Sequence, residues 1–362
     1  MKMRSWFFIL VLLALLVGCA PATPAPLECA DPAVFCVGVV TQIGRIDDQG
    51  LNRDSWLAVS RALEKGTIQK ADYIESVNEL DFAKNVEYFI GRGYDLVVTV
   101  GSGFAETTLA AANLYPEVLF IGVDQPNPGQ LPNLAGMTFA EDQAGFLAGS
   151  LAALVSQTKT AGAACESDYI AAMWRYCEGF RAGVFYASPD VFPQVWYRPA
   201  DNSDMAFRDV QWGKTTAQAL AEAGADVVFS AGGGTALAVA DQAAQKELWV
   251  IGGGEDFKLV MPEVAPRLLT SLVKKVSPGL DSLLEEAAAG EFSSPNVVLS
   301  FTFSAFNKDA EPLNKDVRSQ ILEIEKGLAS GEILTNVLPE NPLYATPEPV
   351  EPTITPEIIP TP

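Results

Sequence analysis

Two stretches decide the fold: Asp95-Leu96-Val97-Val98-Thr99-Val100-Gly101-Ser102-Gly103-Phe104 and Asp226-Val227-Val228-Phe229-Ser230-Ala231-Gly232-Gly233-Gly234-Thr235. Each is a short run dominated by apolar and β-branched residues that ends in a glycine-rich turn. A strand without polar alternation is buried on both faces, as in a parallel sheet covered by helices. Working outward, the first stretch is the third of five apolar runs at 37–41, 71–76, 95–100, 118–123 and 134–138. The second is the third of another five, at 160–164, 194–198, 226–231, 248–252 and 268–272. Segments of helical period, such as 55–65, 80–92, 142–156, 215–223 and 235–245, lie between them. The similar spacing predicts an α/β chain of two doubly wound parallel-sheet lobes joined by crossover segments, with a cleft between them.

At 362 residues the chain exceeds what one hydrophobic core supports, and its 49% apolar content is that of a globular protein. The first lobe is expected over 37–141 and the second over 142–274. A helix at 277–290, a strand at 297–303 and a helix at 314–328 are expected to return and complete the first lobe, over about 275–336. From Pro339 the composition shifts to Pro, Thr and Glu, with eight prolines and no periodicity. Residues 337–362 therefore read as a disordered tail, the alternative being a ligand for another protein.

Near the start, Lys2 and Arg4 precede an apolar run at 6–17, about 12 residues against the roughly 20 of a membrane-spanning helix. Residues 1–18 read as a signal peptide. Leu16-Val17-Gly18-Cys19 is similar to a bacterial lipobox, in which Cys19 is lipidated and becomes the mature N-terminus. The alternative is a signal peptide cut elsewhere. The expected location is the extracytoplasmic face of the cell membrane, with 19–36 as a lipid-anchored tether. Cys29, Cys36, Cys165 and Cys177 remain, and an even number outside the cytoplasm invites pairing. Sequence neighbours favour Cys29 with Cys36 and Cys165 with Cys177, against free buried thiols or crossed pairs.

The balance of 24 basic to 45 acidic residues, a formal charge of −21, argues against nucleic acid and anionic membrane surfaces as partners. With no histidine, Ser-His-Asp and Cys-His catalysis and His-ligated zinc are excluded. Gly213-Lys214-Thr215 ends like a phosphate loop, but Arg208 stands where its first glycine belongs. No G-x-S-x-G elbow or calcium-loop spacing is found. No cofactor and no metal are expected, and the protein reads as a non-enzyme.

In open parallel sheets, ligands bind beyond the C-terminal strand ends. The polar residues of this chain cluster at those ends: Asp47, Asp48 and Asn52 after the first run, Gly103 and Phe104 after the third, Asp124 after the fourth. The second half repeats this with Phe207, Gly233, Asp256 and Lys274. Each has a second reading. Asp47, Asp48 and Asn52 suit helix capping, the glycines suit tight turns, and Phe104 and Phe207 suit a core. A carboxylate at Asp124, ending Leu119-Phe120-Ile121-Gly122-Val123, must be capped, paired or bound to ligand.

Over about 37–336 these motifs resemble the basic membrane protein family, purine-nucleoside-binding lipoproteins that serve ABC importers and have the periplasmic-binding-protein fold. The family's D-D-x-S-F-N is similar to Asp47-Asp48-Gln49-Gly50-Leu51-Asn52, and its G-x-G-F to Gly101 to Phe104. Its E-x-x-G-x-L-A-G is similar to the segment from Glu141 to Gly149, one residue longer before the glycine. Its F-x-D resembles Phe207-Arg208-Asp209, its G-G-T-G Gly233 to Ala236, and its T-S-x-x-K Thr270 to Lys274. Two positions depart: the family's first aromatic is Leu51, and the first aspartate of G-V-D-x-D is Gly254 in Gly252-Gly253-Gly254-Glu255-Asp256. The resemblance implies a base sandwiched by aromatics, with carboxylates, an amide and a lysine holding ribose hydroxyls and ring nitrogens.

The expected function is a monomeric, lipid-anchored solute-binding protein that closes on a purine nucleoside and docks on an ABC permease. The alternatives are the same fold binding a sugar or another polar metabolite, a sensor without a transporter, or a hydrolase or lyase using Asp47 and Asp124.

Overall fold

A computed structural model of the chain describes residues 29–48, 50–200 and 205–344. The expected signal peptide, Cys19, Gln49 and the tail beyond 344 lie outside the described residues.

The first lobe opens with β1 (Cys36–Ile43), α1 (Leu51–Glu64), β2 (Lys70–Ser76), α2 (Phe82–Ile90), β3 (Leu96–Val100), α3 (Ala105–Leu114), β4 (Leu119–Val123) and β5 (Leu134–Phe139). Its strands lie parallel in the order β2-β1-β3-β4-β5. Helix α4 (Glu141–Val155) crosses into the second lobe. There follow β6 (Thr160–Cys165), α5 (Ala171–Ala187), β7 (Phe192–Tyr197), α6 (Val210–Glu222), β8 (Val227–Ala231), α7 (Gly233–Gln245), β9 (Trp249–Gly254), α8 (Phe257–Val260) and β10 (Leu268–Lys274). These strands repeat the parallel order, β7-β6-β8-β9-β10. The two quoted stretches are β3 and β8 with their turns, and every residue of both strands is buried. Asp95 and Asp226, which open the stretches, anchor the far edges of the sheets. Asp95 accepts from the Cys36 N–H at 2.7 Å, and Asp226 from Gln157 and Thr158 N–H at 2.6 and 3.0 Å.

The return segment divides between the lobes instead of finishing the first one. Helix α9 (Ser277–Ala288) packs on α1, and β11 (Asn296–Leu299) extends the first sheet beside β5. One residue later β12 (Phe301–Phe303) pairs antiparallel with β10 in the second sheet, and α10 (Lys315–Ser330) packs on α4. The single strand expected at 297–303 is thus two strands in two sheets. Its apolar residues satisfy either sheet, so periodicity cannot reveal the switch.

One apolar cluster runs through both lobes, from Val98 and Ile121 through Ala148 and Leu151 of α4 to Ala163 and Phe229. At its centre α4 and α5 touch backbone to backbone. A Cβ at Gly145 or Gly149 would overlap the carbonyls of Tyr176 or Phe180, and one at Gly179 or Gly183 those of Asp142 or Phe146. Four glycines therefore permit a separation that no larger residue allows. Disulfides join Cys29 to Cys36 and Cys165 to Cys177, the second tying the end of β6 to α5. No helix among the described residues is long and apolar enough to cross a membrane.

Candidate functional site

The C-terminal strand edges of the two sheets face each other, and one lysine bridges them. Lys274 ends β10 in the second lobe, and its Nζ donates to Asp124 Oδ2 at 2.8 Å in the first. Their side chains are only 10% and 17% exposed, so the pair is largely removed from water. Nζ also lies 3.9 Å from Glu141 Oε1 and 4.8 Å from the centre of the Phe139 ring. Glu141, buried at the start of α4, accepts from Arg175 Nε and Nη2 at 2.9 and 2.6 Å. Burial pushes the Glu141 carboxyl up from its ordinary pKa, while Lys274 and Arg175 pull it back.

After β1, the residues expected to meet ligand hold their own loop. Buried Asn52 accepts from the Gln42 N–H at 3.0 Å and donates to the Arg45 carbonyl at 3.2 Å. Asp48 accepts from the N–H groups of Gly50 and Arg53 at 2.8 and 3.2 Å, closing the entry to α1. Asp47 is exposed and pairs with Arg45 at 2.8 Å. What this loop brings to the cleft is a neighbour from the other lobe: a Cβ at Gly50 would lie 3.0 Å from Glu255 Oε1. Burial, and then the charge of Asp48, raises the Glu255 pKa, with Lys274 opposing.

Phe104 belongs to the core reading. It is fully buried and stacks on Phe82 with ring centres 3.7 Å apart, among Val40, Val97 and Phe120. Gly103 lies over the same Phe82 ring. Asp256, expected to bind ligand, caps α8 by accepting from the Lys258 N–H at 3.1 Å. The neighbouring Glu255 is the carboxylate that reaches the first lobe.

In the second lobe Phe207 is held out by a buried network. Glu166, following β6, is fully buried and pairs through Oε1 with Arg198. Its Oε2 accepts from the Phe207 N–H at 2.9 Å and the Thr235 hydroxyl at 3.0 Å. Gly233 lies against Phe207, where a Cβ would come within 3.1 Å of the Phe207 Cβ. Phe207 itself is 37% exposed with φ of 60°, and Asp124 has φ of 64°. Left-handed backbone at a non-glycine residue costs roughly 1–3 kcal/mol and is kept where the surroundings over-determine it.

Of the expected residues, the structure therefore pairs Asp124 with Lys274 across the lobes and sets Phe207 against Gly233 within the second lobe, and it leaves Asp47, Asn52, Phe104 and Asp256 in local roles. Glu141, Glu166 and Glu255 carry more of the site than the sequence assigned to them. Glu166 follows β6 just as Asp124 follows β4, and that parallel was the signal available for it. With Asp48, Asp124, Glu141 and Glu255 against Lys274 and Arg175, the cleft carries more acceptors than cations and suits a ligand rich in O–H and N–H donors. Among the described residues no group of three or more carboxylates and thiols is disposed to hold a metal ion.

Comparison with known proteins follows the same lines. A family model described as "ABC transporter substrate-binding protein PnrA-like" matches residues 35–301. A Listeria innocua protein called "CD4+ T-cell-stimulating antigen" is 25% identical over 337 residues, covering 85% of this chain and 89% of that one. The Lactococcus lactis "ABC transporter nucleoside-binding protein BmpA" is 25% identical over 279 residues, covering 72% of this chain and 77% of its own. Among solved structures, an ABC transporter solute-binding protein from Aeropyrum pernix has the same fold, with a TM-score of 0.67 at 20% identity over 83% of this chain and 92% of that one.

Proposed function

The chain belongs to the PnrA-like family of ABC transporter substrate-binding proteins, and from that membership we propose that it closes its lobes on a purine nucleoside and delivers it to an ABC importer. In this reading Cys19 carries the lipid that holds the protein at the extracytoplasmic face of the membrane.

The observation that carries the ligand class is the Asp124–Lys274 pair across the cleft, flanked by Glu141 and Glu255. Carboxylates accept from paired ribose hydroxyls and from ring N–H groups through charge-assisted bonds. Phe207 offers a half-exposed ring on which a base stacks for about 1–3 kcal/mol. The surplus of carboxylates works against a phosphate, so the reading is a nucleoside and not a nucleotide. The name of the Lactococcus lactis relative is consistent with it. Closure follows from differential affinity, because a ligand touching Asp124 and Phe207 together engages both lobes only when they are shut.

Calorimetry with inosine, guanosine, ribose and inosine monophosphate tests this, together with mass spectrometry of any molecule released on denaturing the purified protein. Inosine or guanosine should bind, the monophosphate should bind at least tenfold more weakly, and Asp124→Ala should abolish binding while the fold persists. A wild-type protein that binds ribose or another sugar but no nucleoside would overturn the ligand class. For the anchor, a mature-length protein carrying Cys19→Ala should be free of membranes with its fold intact; membrane retention would sink that part of the proposal.

A further inference from the structure

Helix α5 brings to the cleft one polar group that neither the ion pairs nor the core explains. Tyr176 is 1% exposed, and its hydroxyl has no hydrogen-bond partner. A buried hydroxyl without a partner is costly, so its position calls for a reason. It cannot swing away to find one. The ring sits against Phe229 and Phe301, with centres 5.9 and 5.6 Å apart. The helix beneath it is fixed by the glycine contact with α4 and by the disulfide at the adjacent Cys177.

The surroundings of the hydroxyl are acceptors. After burial, the charges of Glu141, Asp124 and Glu255 all act to keep the phenol protonated, and Arg175 opposes them. Beside it lies Gly254 at the end of β9, with φ of 98°; a Cβ there would stand 3.8 Å from the Tyr176 oxygen. Gly254 is the position where the resemblance described above expects an aspartate. A side chain at that position would emerge next to the phenol.

We propose that the Tyr176 hydroxyl donates a hydrogen bond to a sugar hydroxyl of the bound ligand and so selects ribonucleosides over deoxynucleosides. The proposal rests on the nucleoside reading. A proton donor set among carboxylates is complemented by a group that both accepts and donates: it takes the phenol proton and passes its own to Asp124 or Glu255. A sugar hydroxyl does this; the C–H that replaces it in a deoxysugar does neither.

The test uses wild type and Tyr176→Phe, which removes one oxygen and keeps the ring. Affinities for inosine, 2′-deoxyinosine and 3′-deoxyinosine are measured by calorimetry, with melting curves of the unliganded proteins alongside. Wild type should prefer inosine over at least one deoxy analogue by about tenfold or more. Tyr176→Phe should lose about tenfold on inosine and little on that analogue, so the preference collapses. The unliganded variant should melt no lower than wild type, since the oxygen removed had no partner. A preference is a ratio within one sample, so a change in folded fraction cannot mimic its loss. An undiminished preference in the variant, or an equal loss on all three ligands, overturns the role of Tyr176 while nucleoside binding stands. Failure of wild type to bind any of the three overturns the nucleoside reading and this proposal with it.

Discussion

Lys274→Met should open the cleft and destabilise the protein, and adding Asp124→Asn should recover about a third of the loss instead of deepening it. The two charges lie 2.8 Å apart, which at an effective dielectric of 20 is a gross attraction of about 6 kcal/mol. Desolvation cancels most of it, leaving a net coupling of about 2 kcal/mol. Removing the lysine also leaves Asp124 and Glu141 without the cation that stands between them, so the single change should cost about 3 kcal/mol. Asp124→Asn leaves Lys274 its Glu141 neighbour at 3.9 Å and should cost only about 1 kcal/mol. With both charges gone the total should be about 2 kcal/mol, not the 4 or so of a simple sum. Urea denaturation of the four proteins at neutral pH measures the cycle, and small-angle scattering of the same samples reads lobe opening. Additivity within about 0.5 kcal/mol, or an unchanged radius of gyration in Lys274→Met, would refute the argument that this pair latches the lobes.

Phe207→Ala should weaken inosine binding by about 1–3 kcal/mol and leave ribose binding nearly unchanged. Phe104→Ala should instead cost about 3–5 kcal/mol of stability through a core cavity, with inosine affinity of the folded protein unaltered; calorimetry and denaturation on the two variants separate the roles. Gly149→Val should cost at least about 3 kcal/mol or prevent folding, because the Phe180 backbone occupies the space its side chain needs, and circular dichroism with melting curves reports it. Burial raises the Glu255 pKa above its ordinary value of 4.5, so the ionised form opposes folding. That penalty is absent below the ordinary value and reaches its full size once pH exceeds the raised one. Glu255→Gln should therefore melt above wild type at neutral pH, with the gap closing as pH falls towards about 4; a gap independent of pH would contradict the assignment.

The two-lobed architecture was legible because parallel strands buried on both faces must be dominated by apolar residues without polar alternation, and β3 and β8 are, each with one small hydroxyl residue, Thr99 and Ser230. Sequence position also marked Asp124, Phe207, Gly233 and Lys274, since strand ends in such sheets face the cleft. It could not separate them from Asn52, Asp256 and Phe104, which occupy equivalent places in the pattern but spend their polar or aromatic groups locally. A carboxylate that caps its own helix and one that reaches the opposite lobe look alike until the loop is built. Asp256 and Glu255 are adjacent and do one each.

The order and type of the central elements, and the strand edges that face the cleft, could be read from the chain alone, because burial pattern and turn chemistry are local. The tertiary structure alone decided which side chains meet across those edges. Lys274 is 150 residues from Asp124, and nothing local to either selects the other. The same holds for the split of 296–303 between two sheets and for Tyr176, an apolar-looking member of a helix whose hydroxyl ends beside Gly254. Such meetings depend on how closely α4 and α5 pack and on how the lobes face each other, and these are sums over many contacts that no short stretch encodes.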